Sequence, residues 1–236
     1  LDRQLDQLSS RWHGTKAPFR YLIIDDFLLP EMAEQVLAHY PDLSRAKWHY
    51  TTYINQNNKY LLSNLERLPE LQQVFDEMNG PEFISYLEKI TGITGLQGDE
   101  ELFGGGLHMS VKGAFLDVHI DFNRHETTKL HRRLNVLIYL NKNWQPQYNV
   151  YLELWDMERK QQLENIAPNF NRCVIFETTE QSYHGHPKKL NTPDDVARRS
   201  LAAYYYTQHR DEKELAPEHN TRYVKTKGSG GPFKNL

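Results

Sequence analysis

Short strand-like segments follow one another at close intervals through the second half of this chain. Each is rich in β-branched and aromatic residues, and turn signals such as Asn141-Lys142-Asn143 and Pro168-Asn169 separate neighbouring segments. The segments lie at residues 102–111, 115–120, 134–140, 150–155, 161–166, 173–178 and 200–207. Many short strands at this spacing are typical of a β-sandwich or a β-barrel. This pattern constrains the fold more than any other feature of the sequence.

Helical segments are confined mainly to the N-terminal part of the chain. Pro30 opens one of them in its first turn, and Asn79-Gly80-Pro81 separates two others. Helices are predicted at 2–12, from 30 onward and in two stretches between 68 and 93, and strands at 20–24 and 48–54. We therefore predict an α+β fold in which these helices pack outside a sheet.

The composition is that of a globular protein rather than of a disordered chain. Apolar residues make up 39% and charged residues 25% of the 236 residues, enough to bury a substantial core. We predict a single domain over residues 1–208, in which 1–94 support a strand-rich core at 95–208. A polar tail is predicted at 209–236.

The charge and the cysteine content limit the classes of partner and compartment. The net charge of −3 gives no basic excess, so neither a nucleic acid nor an anionic membrane is an expected partner. No apolar run approaches the length of a membrane span. The single cysteine, Cys173, cannot form an internal disulfide, and its apolar neighbours indicate a buried thiol in a strand. A reducing compartment, the cytoplasm, is the expected location.

The first candidate for chemistry is the pair His119 and Asp121. Successive side chains of a strand point to opposite faces, so these two project from the same side and can bind one cation together. Such a His-x-Asp pair occurs by chance in about one of two chains of this composition. A catalytic metal also needs at least one more protein ligand and open positions for substrate.

A third ligand is available in the segment Ser182-Tyr183-His184-Gly185-His186-Pro187. Both histidines of this segment lie on the same side of a strand, so the spacing alone leaves His184 and His186 as alternatives. Two histidines and one carboxylate on one triangular face, with the opposite face open, are typical of non-haem Fe(II) that activates dioxygen.

A carboxylate-binding pair follows in Arg198-Arg199-Ser200. Alternation puts Arg198 and Ser200 on one face of a strand and Arg199 on the other, which favours Arg198 over Arg199. A guanidinium beside a hydroxyl can bind a carboxylate through two hydrogen bonds. The order along the chain is therefore His-x-Asp, then His, then Arg-x-Ser, each on its own strand.

Residues 107–207 resemble the catalytic domain of the prolyl-4-hydroxylase-like branch of the Fe(II)/2-oxoglutarate-dependent oxygenases. The resemblance covers somewhat under half of the chain, and its motifs are specific when taken jointly. They are His119-Ile120-Asp121, Arg133-Leu134-Asn135, Tyr139-Leu140-Asn141, Asn143-Trp144, Leu152-Glu153-Leu154-Trp155, Pro168-Asn169-Phe170-Asn171-Arg172, His184-Gly185-His186-Pro187 and Arg198-Arg199-Ser200.

The resemblance implies a double-stranded β-helix, the jelly-roll architecture, with the metal inside its open end. It implies Fe(II) bound by His119, Asp121 and His184, since the family ligand precedes Gly-x-Pro, and O2 as the oxidant. It also implies 2-oxoglutarate as co-substrate, with Arg198 on the distal carboxylate. By the same comparison Tyr139 lines the 2-oxoglutarate pocket, Ser200 assists, and His108 is a further candidate.

The activity implied is that of a hydroxylase acting on a prolyl residue, an amino acid or a small metabolite, so the expected partner is a peptidyl or small-molecule substrate. The alternatives are a cupin-like metal-binding module without turnover and a metal-dependent hydrolase or isomerase. Many relatives carry Gly-Gly where this chain has Val150 and Tyr151, so the substrate-side wall is expected to differ.

Two expectations concern the surroundings of the metal. The segment 122–132 shows no apolar periodicity, so we expect a mobile lid in which His125 and His131 are solvated. Asp121 is expected to be an accessible ligand, so alanine there should abolish turnover with little loss of stability.

Overall fold

The computed structural model describes residues 2–15, 18–226 and 229. Its four helices are α1 (Asp2–Gly14), α2 (Pro30–His39), α3 (Pro69–Asn79) and α4 (Pro81–Thr91). Its strands are β1 (Tyr21–Ile24), β2 (His49–Tyr53), β3 (Gln56–Leu62), β4 (Gly106–Ile120), β5 (His131–Tyr139), β6 (Leu152–Asp156), β7 (Gln161–Ile166), β8 (Arg172–Glu177), β9 (Tyr183–His186), β10 (Arg198–Thr207) and β11 (Arg222–Tyr223). None of the helices described is long and apolar enough to cross a membrane.

The strands form a single antiparallel sheet that curls on itself. Its main path runs β1-β8-β5-β10-β4-β9-β6-β7, while β3 and β11 both pair with β4, and β2 pairs with β3. Apart from the hairpin β6-β7, neighbours in this path are not consecutive in sequence, as in a jelly roll, where strands cross between two facing layers. The predicted α+β fold with a double-stranded β-helix is confirmed.

The helices cover the outer face of the sheet. Proline stands at the start of α3 and α4, where its missing N–H costs nothing. Gly92, with φ of 73°, ends α4 in the left-handed conformation that glycine adopts without strain. The apolar sides of α3 and α4 join one core with the outward residues of β5, β8 and β10, and the Tyr205 hydroxyl donates to the Met78 carbonyl at 2.8 Å. The helices therefore support the sheet without supplying a ligand to its interior.

The inner face carries a separate apolar cluster between the two layers. It consists of Phe19, Tyr139, Leu152, Leu154, Ile166, Val174 and Phe176. Cys173, next to Val174, points the other way into the outer core and is fully buried. Burial raises the pKa of its thiol, so Cys173 is an inert core residue, as the sequence predicted.

Three features differ from the sequence-based expectation. The two predicted segments 102–111 and 115–120 are one long strand, β4, in which Gly113 has a φ of 81°. Strand β3 was not predicted, because Gln56-Asn57-Asn58-Lys59 has low strand propensity. The described residues beyond 208 continue the fold, because β11 hydrogen-bonds to β4 at His119 and Ile120. Strand β11 therefore joins residues beyond the predicted boundary at 208 to the sheet.

Candidate functional site

His119, Asp121 and His184 converge at one end of the barrel. His119 on β4 lies directly opposite His184 on β9, so the pairing of these two strands brings the rings together. Each side chain offers one ligand atom, and these three atoms lie within 4.8 Å of one another. The Asp121 carboxylate is 3.5 Å from Nε2 of His119 and 3.5 Å from Nε2 of His184. This arrangement can hold one metal ion.

Backbone carbonyls orient both imidazoles. Nδ1 of His119 lies 2.9 Å from the Asp117 carbonyl, and Nδ1 of His184 lies 2.9 Å from the Ser182 carbonyl. A carbonyl only accepts, so each Nδ1 carries a proton, and Nε2 is the ring atom left to bind a metal. Burial lowers the pKa of His184 to about 4, which keeps its ring neutral at pH 7. Two imidazoles and a carboxylate fit a divalent transition metal such as Fe(II).

Arg132 and Asn135 hold the Asp121 carboxylate in place. Asn135 donates through Nδ2 to Oδ2 of Asp121 at 2.7 Å, and Nη2 of Arg132 lies 3.2 Å from the same oxygen. The Arg132 guanidinium lies between the rings of Phe122 and Tyr204, 4.4 Å and 3.5 Å from their centroids. Although burial alone would raise the pKa of Asp121, Arg132 and the two imidazoles hold it well below the usual range. The carboxylate is therefore ionised and oriented before any metal binds.

Sequence reasoning missed Arg132 as a partner of Asp121. The only local signal was that Asn135, within the Arg-Leu-Asn motif, alternates in phase with Tyr139 on the interior face of β5. The approach of β5 to the end of β4 depends on the fold, and no spacing in the sequence encodes it.

Arg132→Lys is expected to weaken metal binding about tenfold. Lysine keeps the charge but cannot donate to Asn135 from both Nε and Nη2 as Arg132 does, so Asp121 loses part of its orientation. Titration with Mn(II), followed by electron paramagnetic resonance of the free ion, measures the affinity. Arg133→Lys is the matched control, since Arg133 pairs with Glu214 on the other face. Equal affinities of wild type and Arg132→Lys would contradict this role.

Arg198 is a buried cation without an acidic partner in the described part of the chain. Its Nη2 donates to the Tyr139 hydroxyl at 3.2 Å, and its guanidinium carbon lies 4.9 Å from the Tyr139 ring centroid. Its Nε is buried and has no hydrogen-bond partner. Unpaired buried charges are costly, so such an arginine indicates an absent anionic ligand. A carboxylate, as in 2-oxoglutarate, fits this donor set.

The remaining predicted residues of this pocket lie next to Arg198. Ser200 stands directly opposite Tyr139 on one side and His108 on the other, so the three side chains share the interior face. Nε2 of His108 is 3.0 Å from the Gly104 carbonyl, and burial holds the pKa of His108 well below its usual value. Arg199 projects to the other face and is partly exposed, as the alternation predicted.

The structure separates the two histidines of β9. Only His184 joins His119 and Asp121, although His186 also lies on the interior side of the strand. His186 stands opposite Leu116, and its Nδ1 is buried without a hydrogen-bond partner. Between them, Gly185 lies so close to β4 that a Cβ there would be 2.9 Å from the Asp117 carbonyl oxygen. The glycine therefore allows the close strand contact that places His184 at the metal position.

The loop beside the site is anchored, which corrects the expectation of a solvated, mobile lid. His125 is buried, with 2% exposure, and its ring contacts Phe103 and Tyr206. Its Nδ1 accepts from the backbone N–H groups of Thr127 and Thr128, which closes the turn. His131 is half-buried at the start of β5. The ring contacts of His125 come from the turn before β4 and from β10, so no periodicity within the loop could indicate them.

A segment after β10 covers the other side of the metal position. The Tyr223 ring lies 5.4 Å from that of His119, and β11 pairs with β4 beside it. Nε2 of His219 lies 2.8 Å from Oε1 of Glu180, and the backbone N–H of His219 donates to Oδ1 of Asn123. Sequence reasoning gave this segment no role, because it was assigned to a polar tail.

Val150, one of the two positions where the resemblance led us to expect glycine in relatives, has a glycine-like backbone conformation. Val150 has a φ of 54° and Asn149 a φ of 60°, in the region that β-branched residues rarely adopt. Val150 is buried against Ala114 and Leu190. The wall next to β6 therefore contains a buried valine in a backbone conformation that β-branched residues rarely adopt.

Residues 105–207 match the model of the 2OG-Fe(II) oxygenase superfamily. Among curated protein sequences, none matches the chain.

Solved structures of low sequence identity share the fold. A prolyl hydroxylase from Trichoplax adhaerens, in complex with a peptide fragment of the hypoxia inducible factor oxygen degradation domain, is 20% identical with a TM-score of 0.63, over 90% of this chain and 93% of that one. A Pseudomonas putida prolyl-4-hydroxylase is 16% identical with a TM-score of 0.58, over 86% of this chain and 100% of that one. HygX from Streptomyces hygroscopicus, with nickel, 2-oxoglutarate and hygromycin B bound, is 13% identical with a TM-score of 0.55, over 96% of this chain and 97% of that one.

Proposed function

We propose that this chain hydroxylates an unactivated C–H bond, from the premise that its residues 105–207 are a 2OG-Fe(II) oxygenase domain. The match to the superfamily model confirms the Fe(II)/2-oxoglutarate oxygenase family that the motifs predicted, and with it the enzyme class and the cofactors Fe(II) and 2-oxoglutarate. When bound, Fe(II) with 2-oxoglutarate and dioxygen supplies oxidation of a C–H bond, and 2-oxoglutarate leaves as succinate and carbon dioxide. The hydroxylation itself and the identity of the substrate are our proposals.

One observation carries the assignment of roles. Three possible ligand atoms within 4.8 Å of one another share the barrel interior with a buried arginine that has no acidic partner among the described residues. A binding module without turnover has no need of a separate carboxylate receptor beside its metal. We assign the metal to His119, Asp121 and His184, and the distal carboxylate of 2-oxoglutarate to Arg198 and Tyr139.

Other residues orient the co-substrate and exclude water. Ser200 lies beside Tyr139 and is available to the same carboxylate. His108 lines the interior face as a neutral ring, and its single N–H donates to the Gly104 carbonyl. Phe176 packs 4.6 Å from the His184 ring, and Tyr223 covers His119 from the outside. This apolar cover limits the access of water to the metal position. A halide cannot replace a protein carboxylate here, because Asp121 occupies that position.

The substrate is a prolyl residue in a peptide, an amino acid or a small metabolite. The structural neighbours bind both kinds, since one is in complex with a peptide and another with hygromycin B. The experiment is to measure succinate release from 2-oxoglutarate, with Fe(II) and oxygen, against a panel of peptides, amino acids and metabolites. Stimulation by one class, with an added oxygen atom detected in the product by mass spectrometry, is the expected result. Stimulated succinate release with an unmodified mass would contradict hydroxylation.

A further inference from the structure

Lys59 is a cation on the wall of the barrel interior for which the proposed mechanism has no use. It belongs to β3, which pairs with β4 and lies outside the residues that match the superfamily model. Lys59 stands directly opposite Ser110 on β4, and Ser110 stands directly opposite Arg198 on β10. Residues opposite one another in antiparallel strands project from the same face. Lys59 and Arg198 therefore lie on the same interior face, two strands apart.

The ammonium group has no partner within the described residues. No side-chain hydrogen bond or ion pair of the described residues involves the Lys59 ammonium group, and the residue is only partly exposed. Burial lowers the pKa of Lys59 to about 8, and the charge of Asp121 opposes this shift while Arg198 and Arg132 add to it. The ammonium group thus interacts electrostatically with both Asp121 and Arg198, and it is still charged at pH 7.

With the metal and 2-oxoglutarate bound, no negative charge would remain to pair with the Lys59 ammonium group. In the proposed arrangement, one carboxylate of 2-oxoglutarate would bind the metal and the other would bind Arg198. Asp121 would bind the metal and also contacts Arg132. Arg132 is also enclosed by the aromatic rings of Phe122 and Tyr204. Neither 2-oxoglutarate nor any described acidic side chain is then left for Lys59. A cation held in a partly desolvated wall without an anion is destabilising unless a ligand supplies the charge.

The hairpin that carries Lys59 also presents apolar surface towards solvent. Tyr50, Tyr53 and Ile54 are exposed, and the Tyr50 ring packs 4.9 Å from that of Tyr60. Tyr53 lies close enough to Tyr223, the residue covering His119, to affect its pKa, which is raised mainly by burial. Tyr50 and Tyr60 pair on the face of the hairpin opposite to Lys59, so Tyr53 and Tyr223 are the aromatic residues beside the metal position.

We infer that Lys59 binds an anionic group, a carboxylate or a phosphate, on the primary substrate. The inference rests on the proposed function and narrows it to acidic substrates, held with the anionic group on β3 and the reacting carbon towards the metal. Lys59 is a specificity-determining residue in this arrangement, and the metal and 2-oxoglutarate bind without it.

The test uses the protein loaded with Mn(II) and saturating 2-oxoglutarate, so that Arg198 is already occupied. Inorganic phosphate and acetate are titrated separately, and the Mn(II)-induced relaxation of their phosphorus and methyl-proton NMR signals measures binding near the metal. The variants are Lys59→Met, Lys59→Arg and, as matched control, Lys112→Met on the neighbouring strand β4. Lys112 is exposed and pairs with Asp194 at the surface.

At least one of the two anions is expected to bind to the wild type, and Lys59→Met is expected to weaken that binding at least tenfold. Lys59→Arg should retain it within about threefold, and Lys112→Met should not change it. If only one of the two anions binds, that anion identifies whether the substrate carries a phosphate or a carboxylate. Binding of neither anion, or binding unchanged in Lys59→Met, would overturn the inference.

The affinity for 2-oxoglutarate separates the two possible uses of Lys59. It should change less than threefold in Lys59→Met, and a loss as large as that in Arg198→Ala would show that Lys59 belongs to the co-substrate pocket. In the substrate panel, acids should stimulate succinate release where their neutral amides do not. Absence of any turnover, with Lys59-dependent anion binding intact, would refute the hydroxylase proposal but not the anion site.

Discussion

Asp121→Ala is expected to abolish succinate release and also to destabilise the folded chain. The carboxylate is one of three metal ligands, so its removal leaves two imidazoles, too few for a stable site. Its side chain is only 13% exposed, and it neutralises Arg132, whose side chain is 1% exposed. Leaving one charge of a buried pair uncompensated costs about 3–5 kcal/mol. Thermal unfolding of the metal-free protein should therefore show a clear decrease in Tm.

The burial of Asp121 and its pairing with Arg132 correct the sequence-based expectation of an accessible ligand, from which alanine at Asp121 would leave stability nearly unchanged. The pKa of Asp121 lies well below its usual value in the folded chain, so its contribution is present above about pH 4 and is lost as pH falls through the lowered folded value. Asp194→Ala is the control, because Asp194 is 88% exposed and should affect neither turnover nor Tm. A fully active Asp121→Ala variant, or one with an unchanged Tm, would refute the corresponding half of the prediction.

Arg198→Ala is expected to raise the 2-oxoglutarate concentration needed for half-maximal turnover by about 10- to 100-fold. A charge-assisted hydrogen-bonded pair with a carboxylate is worth about 1.5–3 kcal/mol, which corresponds to that range. Arg198 has no acidic partner among the described residues, so its removal leaves no carboxylate unpaired. Without 2-oxoglutarate, the Arg198→Ala variant should therefore be as stable as the wild type or more stable. Kinetics in 2-oxoglutarate and thermal unfolding without it measure the two effects.

Arg199→Ala is the matched control for this variant. It removes the same charge from the adjacent residue, whose side chain projects to the other face and is partly exposed. The 2-oxoglutarate requirement should change less than threefold. If Arg199→Ala and not Arg198→Ala raised the requirement, the assignment of the interior face of β10 would be wrong by one residue.

The residues that sequence reasoning located share one property, which is that strand alternation decides their direction. His119 with Asp121, and Arg198 with Ser200, are each two positions apart, so a local rule places each pair on one face. The same rule left His184 and His186 equivalent. Their separation depends on the register of β9 against β4, which the close contact at Gly185 fixes.

The residues that sequence reasoning missed depend on contacts between distant elements. Arg132 reaches Asp121 because β5 passes the end of β4, and His125 is buried by residues that precede and follow it by many positions. Lys59 lay in a polar segment whose strand conformation comes from pairing with β4 rather than from its own propensity. Tyr223 was placed in a tail because two paired residues leave no periodic signal.

The central strand β4 has a further consequence for how the chain folds. It is bordered by β3 from the N-terminal half, by β9 and β10, and by β11 near residue 223, so its ligand-bearing end is completed by partners from opposite ends of the described sequence. Such pairings close long loops and form late, since the entropy of closure precedes the gain in contacts. During synthesis the metal ligands would thus be present in the nascent chain well before they are assembled, and iron capture should coincide with the completion of folding rather than precede it.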